Sequence, residues 1–165
     1  MYKSLDVSGL NLVKFTRDDI SELIEASRES FVPYRNNPQE TIAGIFDKIS
    51  LESDYNSAKA VEIFGFSVDN RPITYILLTT DQKNQKVLVN YLYVDEDFRR
   101  IGVATKLIKD TLKSIKEHRL GNLYARTWSS NLAAKNLFKK AGLTRERSTR
   151  LSNRVNGDQT IWYFG

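Results

Sequence analysis

Leu92-Tyr93-Val94-Asp95-Glu96-Asp97-Phe98-Arg99-Arg100-Ile101-Gly102-Val103-Ala104-Thr105 is the stretch that decides the fold. A strand ends at Val94, an acidic loop turns, and a helix begins with small residues at Gly102 and Ala104. The first turn of a helix has unpaired backbone N–H groups and a partial positive charge. Such a start binds phosphate well where small residues let the ligand come close. Arg99, Arg100 and the Thr105 hydroxyl add donors. The segment is not a P-loop, because it lacks the glycine count and the Gly-Lys-Ser/Thr ending, and it lacks the dinucleotide-binding glycine triplet. By this physics alone, a phosphate site and a helix start that holds only water stand at even odds.

Working outward, Val87 to Val94 reads as a strand with apolar residues on both faces, so both faces should be covered. Before it, Val61 to Val68 and Ile73 to Thr80 form a hairpin around Asp69-Asn70-Arg71-Pro72, and Asp81 to Asn84 is a second turn. Earlier still, Leu10 to Phe15 is a short strand. Thr16 caps a helix with Asp18 and Asp19 in its first turn, and Ile20, Leu23, Ile24, Ser27 and Phe31 recur at helical spacing. Asn37-Pro38-Gln39-Glu40 opens another helix with an apolar face of Ile42, Ile45, Phe46 and Ile49.

Downstream, Gly102 to Glu117 is a helix with a stripe of Leu107, Ile108, Leu112 and Ile115, and Asn122 to Thr127 is a strand. Ser130 can cap a helix in which Leu132, Ala133, Leu137, Phe138 and Ala141 recur before Gly142 stops it. Glu146 to Ser152 and Thr160 to Phe164 are strands joined around Asn156-Gly157. The order β-α-α-β-β-β-α-β-α-β-β predicts an α/β fold of the α+β type. It should have one mixed, mostly antiparallel sheet flanked by helices. The β-α-β unit between Val87 and Thr127 should be parallel.

Composition agrees with one soluble domain over residues 1–165. Hydrophobic residues are 41% and charged residues 27%, which excludes collagen-like and disordered classes. No run of about 18 apolar residues predicts a membrane span. Met1 to Phe15 lacks a signal-peptide apolar core, so the cytoplasm is the expected compartment. Cysteine is absent, which removes disulfides, thiolate metal sites and a cysteine nucleophile. His118 is the sole histidine, at a helix end where a cation suits the dipole, so no metal is expected. Trp128 reads as a packing residue at a strand-to-helix corner. Charge is divided sharply. Met1 to Phe98 carries 10 Lys+Arg against 16 Asp+Glu, whereas Arg99 to Gly165 carries 15 against 4. The C-terminal part should therefore face an anion: a polyphosphate, a nucleic acid or an acidic partner.

Arg99-x-x-Gly102-x-Ala104, after a strand ending Leu-Tyr-Val, resembles the Arg/Gln-x-x-Gly-x-Gly/Ala signature of GNAT superfamily N-acetyltransferases. Asn131-x-x-Ala134-x-x-Leu137-Phe138-x-x-x-Gly142-Leu143 is similar to that family's second helical motif. The resemblance is specific from about Leu88 to Leu143. It implies that the strands matching Val87 to Val94 and Leu123 to Arg126 splay apart around acetyl-CoA, the acyl donor. Backbone groups of Leu92 and Val94 would pair with the pantetheine arm. Arg99, Arg100, Ile101, Gly102, Val103, Ala104 and Thr105 would surround the pyrophosphate. The Asn131 side chain would bond the arm, and Lys135, Lys139 and Arg100 would meet the adenosine 3′-phosphate. The implied reaction is direct attack of a primary amine on the thioester, with an oxyanion forming beside strand amides.

The chain departs from the family at three positions. Phe138 stands where a tyrosine acid is common, and Asn90 and Arg126 stand where some members have a glutamate base. Tyr93 is the candidate catalytic acid, beside the expected thioester; Tyr91 and Tyr163 are alternatives, with Glu62 as a base through water. Otherwise positioning and the oxyanion contact suffice, or the domain binds acyl-CoA without turnover. The acceptor surface carries Glu22, Glu25, Glu29, Glu40, Asp47, Glu52 and Asp54, which would attract a cationic acceptor amine. Nucleic acid is disfavoured, because no helix-turn-helix, RNP or zinc signature accompanies the basic charge. No membrane partner is expected, and a homodimer is compatible with the sequence.

Overall fold

The computed structural model describes residues 4–31, 59–146 and 160–165. The predicted helix opening at Asn37 and the Asn156-Gly157 turn lie outside the described residues.

Three strands and a turn carry the first half of the sheet. After one helical turn at Val7–Gly9, strand β1 spans only Val13–Phe15, shorter than the predicted Leu10 to Phe15. Asp6 caps the Val7–Gly9 turn by accepting from the Ser8 N–H, which removes the residues before Val13 from extended pairing. Thr16 and Asp19 cap reciprocally: the Thr16 N–H donates to Asp19 Oδ2 at 2.7 Å, and the Asp19 N–H donates to Thr16 Oγ1 at 3.2 Å. A short turn at Asp18–Ile20 then leads into helix α1, Ser21–Phe31. Strands β2 (Lys59–Val68) and β3 (Arg71–Asp81) form a hairpin. Its turn is the two residues Asp69 and Asn70, both at positive φ, a hairpin geometry that Asn and Asp tolerate. Arg71 and Pro72 therefore belong to the strand; Pro72 sits opposite Ser67 at a register shift, where a missing N–H is tolerated.

Strand β4 (Lys86–Val94) follows, then helix α2 (Val103–Glu117), strand β5 (Asn122–Trp128), helix α3 (Leu132–Lys140), strand β6 (Thr144–Arg145) and strand β7 (Thr160–Phe164). The predicted strand from Glu146 begins two residues earlier, at Thr144; residues 147–159 are outside the described residues. Asn131, not Ser130, caps α3: its side chain accepts from the Ala134 N–H. Gly142 ends that helix at φ +89°, with the Leu143 N–H donating to the Phe138 carbonyl at 3.0 Å.

The seven strands form one sheet in the order β1-β2-β3-β4-β5-β7-β6. Every pairing is antiparallel except β4 with β5, as the crossover helix between them requires. One face packs Phe66, Ile76, Val87 and Leu123 against Leu107 and Ile108 of α2 and Phe138 of α3. The other face packs Ile63, Tyr75, Leu77 and Tyr93 against Ile20 of the preceding turn and Leu23 and Ile24 of α1. The predicted apolar stripe of α3 is corrected at its start. Leu132 is 65% exposed and Ala133 is exposed, while the buried face begins at Ala134 and runs through Leu137, Phe138 and Ala141. Among the described residues, no helix is long and apolar enough to cross a membrane.

Candidate functional site

The site begins with a missing half-ladder. β4 and β5 pair only at Lys86↔Asn122, Val87↔Leu123 and Leu88↔Tyr124. Beyond Leu88 the two strands have no ladder, although β4 runs on to Val94 and β5 to Trp128. A bulge sits at the same place. Leu77 lies opposite Tyr91 and Leu78 opposite Val89, so Asn90 is the extra residue on β4. A bulge bends its strand and raises the local twist, which carries β4 away from β5. The Asn90 Nδ2 donates to Thr79 Oγ1 at 2.6 Å, tying the bulge to β3.

The bulge also changes phase. Before it, Val87 and Val89 face α2; after it, Leu92 and Val94 face that way, and Tyr91 and Tyr93 turn toward α1. The backbone follows the same alternation. The Asp95 N–H donates to the Ile73 carbonyl at 2.8 Å, and Tyr75 stands opposite Tyr93, so the backbone groups of residues 93 and 95 point at β3. Those of Leu92 and Val94 therefore point into the opening between β4 and β5.

The turn after β4 is held tightly. Asp95 Oδ1 accepts from the Asp97 N–H, its Oδ2 accepts from Arg71 at 3.0 Å, and Phe98 is buried to 1% exposure. Arg99 doubles back: its Nε donates to the Val94 carbonyl at 2.9 Å, and its guanidinium lies 5.2 Å over the Tyr93 ring. Its side chain thus grips the end of β4. Arg100 (φ +62°) and Gly102 (φ +93°) are both left-handed, so the chain reverses sharply just before the helix start. Gly102 precedes α2 with no side-chain cap, and the first helical bond runs from the Lys106 N–H to the Gly102 carbonyl at 3.0 Å. The amides of Val103, Ala104 and Thr105 thus start the helix without an intrahelical acceptor. Val103 is buried and pins the helix start, whereas Arg100, Ile101 and Gly102 are exposed. A Cβ at Gly102 would have nothing within 4 Å, so the approach to these amides is open. This arrangement can accept an anion such as a diphosphate: a helix start whose first amides have no intrahelical acceptor and no side-chain cap.

The second motif is placed at α3. Asn131 spends its Oδ1 on the Ala134 N–H at 3.1 Å, so the outward-donating group is its Nδ2. Lys135 is turned to its own loop, donating to the Ser129 carbonyl at 3.0 Å. Phe138 is buried with its ring 5.2 Å from that of Tyr163. Tyr93 is 5% exposed and packs near Tyr75, 6.2 Å between rings; burial pushes its phenol above the usual value, partly offset by the Arg99 charge. Glu62 pairs with Lys14 at 2.8 Å on β2, two strands from β4. His118 is exposed, with Nδ1 2.8 Å from the Ser114 carbonyl. Among the described residues no cluster of His, Asp or Glu could hold a metal.

Sequence reasoning missed the bulge at Asn90, the reversal of Arg99 and an aromatic row on β5 and β7. The first left no signal in the pattern, since apolar residues stand at both odd and even positions on either side of Asn90. Comparison with known proteins supplies the wider context. The sequence profile of the acetyltransferase (GNAT) family matches residues 20–143. An uncharacterized N-acetyltransferase from the pepI 3′ region of Lactobacillus delbrueckii subsp. lactis is 26% identical over 150 residues, covering 84% of this chain and 87% of that one. The fold is similar to spermidine N-acetyltransferase from Vibrio cholerae, solved with CoA and spermine, at TM-score 0.72 and 16% identity over 95% of each chain. It is also similar to a Salmonella typhimurium acetyltransferase that modifies the N-terminal serine of ribosomal protein L7/L12, at TM-score 0.72 and 12% identity over 96% of each chain.

Proposed function

We propose that this chain, which belongs to the acetyltransferase (GNAT) family, moves an acetyl group from acetyl-CoA to a primary amine by direct attack of the amine on the thioester. The observation that carries the reading is continuity. The unpaired edge of β4 at Leu92 and Val94 leads without a break into the open amides at the start of α2. An extended arm ending in a diphosphate matches that path: strand-like pairing along β4, then anion binding by the amides of residues 101–105.

Acetyl-CoA supplies the thioester: a C–N bond forms, the amine nitrogen gives up one proton to water, the C–S bond breaks, and the departing thiolate takes a proton to become the free thiol. The chain's part is mainly electrostatic and positional. The N–H groups of Leu92 and Val94 are the donors available to the carbonyl oxygen and to the amides of the arm. Arg99 holds the Val94 carbonyl, which keeps the end of β4 in register with the turn. Tyr93 stays protonated across neutral pH, as an acid must, and its ring lies under the Arg99 guanidinium. Phe138 offers no proton, and its packing on Tyr163 is apolar.

Phe138, Asn90 and Arg126 favour a second reading, an acyl-CoA-binding module that does not turn over. Two measurements separate the readings. CoA should raise the melting temperature, whereas DNA or RNA should not. Release of free thiol from acetyl-CoA should then occur with at least one member of an amine panel. A CoA shift without thiol release would favour the binding module; no shift at saturating CoA would remove both.

A further inference from the structure

We infer that the acceptor is an amine bearing a flat aromatic ring and an anionic group, held on the outer face of β5 and β7; this rests on the acyl-transfer reading. Helices α2 and α3 cover one face of the sheet, including the side from which the helix-start amides reach the opening. The acceptor must therefore approach from the opposite face. On that face the Asp18–Ile20 turn and α1 pack over β2, β3 and β4 through Ile20, Leu23 and Ile24, and among the described residues these contacts stop at Tyr93. Beyond the opening, β5 and β7 present a paired row. Tyr124 stands opposite Phe164, and Arg126 opposite Trp162, while their alternate neighbours Leu123, Ala125, Ile161 and Tyr163 are buried on the helix-covered face.

The row has a definite chemistry. The Tyr124 and Phe164 rings are stacked, with centroids 6.4 Å apart. The exposed Arg126 guanidinium lies 5.6 Å over the Trp162 ring, and the Lys86 ammonium lies 5.3 Å over Tyr124. β4, β5 and β7 contain no Asp or Glu at all. Among the described residues no carboxylate forms an ion pair with Arg126 or Lys86. Half-buried rings recognise a flat ring by stacking, and a guanidinium already flattened on an indole recognises a carboxylate or phosphate through its free N–H edge. Among the described residues of this row a polycation finds no carboxylate and meets two positive charges. The acidic residues Glu22 and Glu25 belong to α1 and lie off this row.

The chain's two tryptophans, Trp128 and Trp162, both lie on this face, so intrinsic fluorescence reports on it. The test titrates the full chain with 4-nitro-L-phenylalanine, its decarboxylated counterpart 4-nitrophenethylamine, and spermidine. The nitroaromatics quench indole on stacking, and all three are primary amines. The carboxylate-bearing ring should quench at a concentration about tenfold lower than its counterpart, and spermidine should displace neither. Arg126→Gln, an exposed position, should keep the melting temperature and abolish the tenfold preference. Trp162→Phe should reduce the quench amplitude. Thiol release should follow the same order of preference. Equal or tighter binding of the decarboxylated amine, a preference that survives Arg126→Gln, absence of quenching, or displacement by spermidine would each overturn the inference. Its failure is separable from that of the acyl-transfer reading: a retained CoA shift with thiol release to another amine leaves that reading standing, and loss of the CoA shift removes it.

Discussion

The two sides of the β4–β5 opening are built from different materials. On the β4 side, the strand edge and the turn to α2 present backbone: amides of residues 101–105, the N–H groups of Leu92 and Val94, and the Leu92 carbonyl. On the β5 side, the surface presents side chains: Tyr124, Arg126, Trp162 and Phe164. Backbone-built recognition depends on dihedral angles and on the absence of bulk, so it constrains few residue identities. Side-chain recognition depends on every identity. The first should persist among related chains whose side chains differ, and the second should set what each chain accepts.

The largest effect is expected where the two sides are joined. Gly121 adopts φ +104°, and a Cβ there would run into the Gln85 carbonyl, directly beside the first β4–β5 pair. Gly121→Val should destabilise the fold by about 3 kcal/mol, from overpacking and left-handed strain together, read as a lower urea midpoint. A loss below about 1 kcal/mol would mean that the join is compliant and that the opening is not anchored there.

Next is the backbone side itself. Gly102→Leu places bulk before the open amides while meeting no neighbour. Stability should fall by about 1–2 kcal/mol from the positive φ. CoA affinity should fall roughly 10- to 100-fold, the equivalent of one charge-assisted hydrogen bond or slightly more, measured by calorimetry. By contrast, Ile101→Ala changes an exposed side chain but leaves its amide, and CoA affinity should move by less than about threefold. If Ile101→Ala weakened CoA as much as Gly102→Leu, the turn would be a side-chain site and the comparison would collapse.

Asn131→Ala removes the α3 cap and should cost about 1 kcal/mol of stability. A drop in CoA affinity beyond that, with the melting temperature corrected, would show Nδ2 acting on the carrier. The smallest effect concerns pH. Burial raises the Tyr93 phenol above its unfolded value of 10.0, so the folded state disfavours the phenolate. Stability from this group is complete below pH 10 and is lost as pH rises beyond it, because only the unfolded chain ionises readily there. Tyr93→Phe should flatten that alkaline slope, seen in urea midpoints collected from pH 8 to 11.

Local chemistry explains what was legible in the chain. The cap at Thr16, the α2 start at Gly102, the stop at Gly142 and the parallel β4–β5 unit all depend on residues close in sequence or on a required crossover. The uncapped helix start after Gly102 was legible for the same reason: its groups are contiguous. The direction of the Arg99 side chain was not legible, because a guanidinium can reach either way, and packing against Tyr93 brings its Nε to the Val94 carbonyl. Leu132 fitted the helical stripe of α3 by spacing, but it is the first residue of the helix and projects past the sheet.

By itself the sequence determined the order of the described strands and helices, the small residues that open the turn after Val94, and the absence of a tyrosine at position 138. Those are properties of spacing and residue type. Only the tertiary structure decided where β4 parts from β5, which way Arg99 turns, and that Tyr124, Arg126, Trp162 and Phe164 form one surface. The reason is physical: a bulge, a reversed side chain and a cross-strand row are each set by partners distant in the chain, whose positions become fixed when the sheet closes.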